Sequence, residues 1–185
     1  MTWPQYQVAP SDSVFALGVV SINYARFEVT QTWMLAAVSN IREHDAIIKA
    51  ARVTPGERIK LIQSSMFQRE WPKDVAKAIH HYLAAMDVLT TNRNLLIHSN
   101  MVGAWQNRTG LYSLSRKGVQ SAFQTEMSEI RKVADDLNDY FWFGHALSNY
   151  IVSEIHFAAR EEGMMVVSNL PDLLPMPVHI HPAKA

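Results

Sequence analysis

The 185-residue chain contains no cysteine. Disulfides, thiolate metal sites and cysteine nucleophiles are therefore excluded, although the absence does not identify a compartment. Glycine and proline are sparse, at seven and eight residues, and most of the prolines lie near the two ends. The middle is left free for long helices. Neither sign of charge predominates, with 17 basic and 17 acidic residues and a pI of about 7.1. The chain is not a generic polyanion binder, and any nucleic-acid contact must come from a local patch. Long uncharged apolar runs are missing too. The most apolar stretch, 14–38, carries Asn23, Arg26, Glu28 and Gln31, which argues against a membrane span. Residues 1–6 offer neither a basic region nor an early apolar run, so no signal peptide is expected and a cytoplasmic protein is the expectation. Gly-x-Ser-x-Gly, His-Glu-x-x-His, Walker A and dinucleotide fingerprints are all absent.

What is present reads as one helical domain. A hydrophobic content of 48% with 18% charged residues is ordinary for a folded chain, long enough to bury a core without staples. Ser11, Asp12 and Ser13 offer N-caps to a helix expected to reach about Asn40. Its stripe is Leu17, Val20, Tyr24, Phe27, Gln31, Met34, Val38 and Ile41. Ile22, Val29 and Trp33 make a second face apolar, as in a helix central to a bundle or lying between subunits. A short helix is expected within 42–53, anchored by Ile47 and Ile48. Thr54-Pro55-Gly56-Glu57 is a capping box with Pro at the first helical position, opening a helix to about Gln68 with Ile59, Ile62 and Met66 inward. The next helix starts at Pro72 and presents Val75, Ile79, Tyr82, Met86 and Leu89 on one stripe. Helical periodicity is lost over 101–119, where two β-prone runs around Asn107–Gly110 predict a small hairpin. Thr125 is the expected cap of a last long helix, with Glu126 and Glu129 at its positive end, a kink at Gly144 and a stop at Gly163. The Pro-rich stretch 170–177 is expected to lie extended over the bundle. The fold class is thus all-α: an up-and-down bundle of four to five helices, a small β-hairpin after the fourth segment, and an extended tail. Its parts are an irregular lead-in (1–11), one domain (12–163) and the tail (164–185).

The chemistry-bearing stretch is Asn92-Arg93-Asn94-Leu95-Leu96-Ile97-His98-Ser99. The stripe of the preceding helix continues to Arg93, which would point a guanidinium toward the apolar side, where it needs a partner or a wet cleft. His98 lies five residues on, about 140° round an ideal helix. Convergence is therefore expected only if the helix ends between them or a second copy of the motif approaches. No acidic residue occurs between Asp87 and Glu126, whereas Arg93, Arg108, Arg116 and Lys117 all fall there. That gap makes a local positive stretch beside the motif. The spacing alone is weak, because ten Arg and eight His in this length give about 0.4 chance matches. The competing structural role is an Arg capping helix carbonyls and a His packed in a turn.

Other candidates are weaker. Asp135, Asp136 and Asp139 form an Asp-Asp-x-x-Asp pattern that resembles the magnesium-diphosphate motif of isoprenoid synthases, and the spacing predicts that the three share one helix face. It occurs once, after Arg131 and Lys132, as in a solvated charged face. His80 and His81 point to different faces of a helix, and His179 and His181 sit in the tail, so no metal site and no cofactor is expected. Trp33, Trp71, Trp105 and Trp142 read as packing residues.

At Arg93-Asn94-Leu95-Leu96-Ile97-His98 the chain resembles the HEPN superfamily (higher eukaryotes and prokaryotes nucleotide-binding). Its mark is Arg, four to six residues, then His, often with a polar residue directly after the Arg. The order of elements over about 12–162 is similar as well. The resemblance implies a bundle that dimerises, bringing two motifs into one cleft. It implies a metal-independent endoribonuclease, in many members a toxin or defence effector with a cognate antitoxin or other partner protein. Arg93 and His98 would be catalytic, Asn94 orienting, and Arg108, Arg116 and Lys117 would meet RNA phosphates. The alternative is a non-catalytic dimeric scaffold that binds a partner protein or nucleotide.

Overall fold

The structure, a computed structural model, describes residues 11–105, 108–114, 120–155 and 169–180. Among the described residues five α-helices carry the fold: α1 (Ser11–Ser39), α2 (Glu43–Ala50), α3 (Pro55–Met66), α4 (Lys73–His98) and α5 (Met127–Tyr150), the last continuing into a π-helical turn, Ile151–Ile155. Between α4 and α5 lie three strands, β1 (Asn100–Trp105), β2 (Arg108–Leu114) and β3 (Gln120–Glu126), in an antiparallel sheet of order β1-β2-β3. The fold is the expected all-α bundle with a small β-hairpin, extended by a third strand that local sequence did not signal. Among the described residues no helix is long and apolar enough to cross a membrane.

The core is built around α1, which packs most extensively on α5 and also touches α2, α3 and α4. Val20, Tyr24, Phe27, Met34 and Val38 of its stripe are buried. The helix stops at Asn40, whose φ of 51° is tolerated by a short polar side chain. Asn40 and Ile41 donate back to the carbonyls of Ala37 and Ala36, which satisfies two otherwise orphaned groups of the last turn. The capping box of α3 forms as expected, with Thr54 and Glu57 bonded reciprocally. Those same bonds from Thr54 hold the Glu57 carboxyl below the usual range.

Several expectations are corrected. The anchors of α2 are Ala46 and Ala50, while Ile47 and Ile48 are exposed, because the helix is phased with its small residues against α1. Helix α5 begins after Glu126, not Thr125. Pairing of β3 with β2 runs through Arg108↔Glu126, so the backbone stays extended one residue longer. Glu126 and Glu129 then form the capping box. Helix α5 runs through Gly144 without a break, and Gly163 lies outside the described residues. The three aspartates do not share a face: Asp136 is buried beside Lys132, whereas Asp135 and Asp139 are exposed. Of the expected turn Asn107–Gly110, Asn107 lies outside the described residues, whereas residues 108–110 lie within β2.

The described part of the tail, 169–180, carries no helix or strand and lies along the helices. Leu170 and Leu174 pack against the core, and Pro177 and Ile180 are buried.

Candidate functional site

The last two turns of α4 assemble the candidate site. The buried stripe continues from Leu89 through Asn92 to Leu96, the three-then-four spacing of an inward face. Arg93 is thereby displaced to the rim, where it is half-buried. Its guanidinium carbon lies 4.7 Å from the ring centroid of Tyr24 on α1, an attraction of about 0.5–2 kcal/mol. Tyr24 is buried, which pushes its phenol pKa up, and its hydroxyl donates to Thr90 Oγ1 at 3.4 Å. The ring is thus held as a fixed plate under the cation.

Arg93 Nη1 donates to Asn94 Oδ1 at 2.9 Å and contacts His98 Nε2 at 3.2 Å. The expectation that Arg93 and His98 need a helix end between them or a second copy is therefore wrong. Helix α4 runs through both, and they meet within one chain. The 140° separation describes where the Cβ atoms point, and arginine's long flexible side chain carries Nη1 away from that direction. His98 helps, because it is the last helical residue and Ser99 turns to extended backbone (φ −88°, ψ 143°). Guanidinium nitrogens only donate, so His98 Nε2 must accept. The contact thus selects a neutral imidazole with its proton on Nδ1 and its Nε2 lone pair directed at Arg93. His98 and Asn94 are exposed, whereas Arg93 Nε is buried with no hydrogen-bond partner.

Of the other expected residues, Arg108 opens β2, is 59% exposed, and has Nη2 3.6 Å from Glu126 Oε1. A pair that exposed is worth little, so Arg108 keeps access to a passing phosphate. Arg116 and Lys117 lie outside the described residues. Were Arg108 to meet RNA phosphates, as the resemblance implies, Arg108→Glu would weaken that binding several-fold at low salt and progressively less as salt rises, since phosphate contacts act through counterion release. RNA titrations across a salt series check this, and equal binding throughout would assign Arg108 to the sheet alone.

Two clefts, of about 600 Å³ between α3 and α4 and about 330 Å³ beside Trp33 and Arg58, are lined by other residues. Among the described residues no three His, Asp or Glu side chains converge on one point. No family model, curated protein or solved structure matches this chain.

Two residues of the site, Tyr24 and Thr90, escape a reading of the sequence as a linear motif. Tyr24 lies 69 positions before Arg93 and looks like any stripe aromatic. Thr90 is ordinary in a helix. Asn92, adjacent to Arg93, did leave a signal: with Leu89 and Leu96 it falls at inward spacing, and a buried amide needs partners.

Proposed function

We propose that the chain is a metal-independent endoribonuclease of the HEPN kind, acting as a homodimer. The observation that carries this reading is the Arg93 guanidinium bonded to Asn94 and to the accepting Nε2 of an exposed His98. RNA brings its own nucleophile, the 2′-OH, so cleavage requires proton transfer and stabilisation of the phosphorane. A neutral imidazole with Nε2 unprotonated is a base in waiting. When a phosphate draws the Arg93 fork onto its oxygens, the Nε2 lone pair is released toward the 2′-OH. The partner copy's His98, released from its own Arg93 and protonated from solvent to the imidazolium, gives that proton to the 5′-oxygen leaving group, while the first His98 is left holding the proton of the 2′-OH. The products are a 2′,3′-cyclic phosphate and a 5′-OH. Purified protein incubated with mixed RNA and a chelator, with product ends identified, tests the assignment. Intact RNA would return the chain to the rival reading, a scaffold that binds a partner protein or nucleotide.

The dimer rests on α1. Phe15, Gly18, Ile22, Ala25 and Val29 recur at spacings of three and four, all exposed, with Phe15 at 75% and Ile22 at 64%. The alternation of large and small residues suits a second helix lying close. A Cβ added at Gly18 would meet nothing within 4 Å, so its small size serves no packing inside the chain. Light scattering is expected to give twice the chain mass at micromolar concentration, and Ile22→Asp to shift it to monomer. A monomeric parent protein would remove the two-histidine mechanism.

A further inference from the structure

Asn92 does something unusual for a helical residue. It is 1% exposed, and both ends of its amide are spent on the tail: Nδ2 donates to the carbonyl of Val178 at 2.8 Å, and Oδ1 accepts from the Ile180 N–H at 2.9 Å. A carbonyl and an N–H two residues apart are what a neighbouring β-strand would engage, so Asn92 captures extended backbone as one rung of a ladder. The segment is not a regular strand, whose residues two apart would share a face: Val178 is 76% exposed while Ile180 is buried at 8%, so Asn92 holds the backbone at the point where Ile180 turns inward. A second fixed point lies on α5. The Tyr140 hydroxyl donates to Pro175 O at 3.2 Å and lies 2.9 Å from His81 Nε2 on α4. The tail is therefore tied to both helices, and its last tie is one residue from Arg93.

We propose that Asn92 is a positioning residue for the Arg93–His98 pair, acting through the tail segment 169–180 as a strap across α4 and α5. The inference rests on the function proposed above, because it gives that pair its role. The physical need is clear from where the pair sits. The last turn of any helix has carbonyls without intrahelical partners and frays readily. Here that turn must hold two side chains about 3 Å apart across five residues. Leu96 buries one side of it, and the clamp at Asn92 fixes the turn just before. A docked strap keeps the backbone of α4 in one place, and the Arg93 Nη1 contact to His98 with it. A released strap leaves the pair free to separate. The site is thereby linked to whatever engages an extended, proline-containing segment of this kind.

The test uses the full chain, with the imidazoles followed by ¹⁵N NMR and the amides by hydrogen exchange. In the parent protein the Ile180 amide should be protected and His98 should show the Nδ1–H tautomer. Asn92→Ala should accelerate Ile180 exchange at least tenfold and convert the His98 pattern toward a tautomer mixture. Ile180→Asp, which leaves α4 untouched, should do the same and covers the case in which Asn92→Ala folds poorly. In a cleavage assay both variants should lower kcat more than they change KM. If Ile180 exchange accelerates while the His98 signature stays as in the parent, the strap only stabilises the fold and the proposal is overturned. It is equally overturned if the Ile180 amide is unprotected in the parent. A His98 signature that follows the strap in a protein that cleaves no RNA would sink the ribonuclease reading and leave the coupling standing.

Discussion

His98→Ala is expected to slow RNA cleavage by about two to four orders of magnitude, the usual range for losing a general acid–base group, while the protein keeps its helical fold. The side chain is exposed at the end of α4, so its removal opens no core cavity, and such surface changes stay within about 0.5 kcal/mol. Arg93→Lys is expected to be nearly as damaging. A single nitrogen, Nη1, reaches both Asn94 Oδ1 and His98 Nε2 while the guanidinium plane lies over Tyr24. An ammonium has neither the plane nor the fork to offer phosphate oxygens. The stability cost should be small, because the buried Nε makes no hydrogen bond that would be lost. Gel-based rates beside circular dichroism and thermal melts decide the matter. Variants that fold and cleave at the parental rate would dismiss the assignment.

The two variants also separate roles. Loss of a proton-transfer group should flatten the pH dependence of cleavage, whereas loss of the phosphate fork should lower the rate across the whole profile and raise the salt sensitivity of what remains. A pH profile for each is therefore more informative than a single rate.

Sequence periodicity located the long helices because their inward residues are large and regularly spaced. Val75, Ile79, Tyr82, Met86 and Leu89 are all buried as their spacing requires. Periodicity failed where the inward residue is small or polar. Ala46 and Ala50 outrank the two isoleucines of α2 in burial, and Asn92 takes the inward place that spacing also allowed Arg93. In each case a tertiary neighbour decides: α2 turns Ala46 and Ala50 inward while it packs on α1, and the tail supplies the partners that satisfy a buried amide. The strand β3 is invisible locally, since Gln120–Glu126 is polar and gains its structure from pairing with β2. For the site, proximity along the chain revealed Arg93, Asn94 and His98. Ideal helix angles misjudged how far an arginine reaches, and Tyr24 could be found only in three dimensions.

Gly144→Ala should destabilise the protein by about 1–3 kcal/mol net, against the sign that helix propensity alone would give. In an exposed helix interior the exchange would gain about 1 kcal/mol. Here a Cβ built on Gly144 would lie 2.6 Å from Tyr82 Cε2 and 2.9 Å from its hydroxyl oxygen. Neither side can yield cheaply, because Tyr82 is fully buried among Phe27 and Phe143. Its hydroxyl lies 2.9 Å from Thr30 Oγ1, which itself donates to the Phe27 carbonyl at 2.8 Å. Thr30's one proton is committed there, so the Tyr82 O–H is the donor in their contact. Displacing the ring would combine overpacking, about 1–3 kcal/mol, with a broken buried hydrogen bond, about 1 kcal/mol or more. Helices α1, α4 and α5 meet at this point, so the loss should appear as a fall in Tm of roughly 2–12 °C for a chain this long. Tyr82→Leu is the partner change that identifies the cause. It should cost stability alone, yet make Gly144→Ala nearly harmless or even favourable in the double variant, since the ring tip that obstructs the Cβ is gone. Melts of the parent, both single variants and the double variant complete the cycle. Additive losses would mean that the contact between Gly144 and Tyr82 is not what holds the three helices at this spacing.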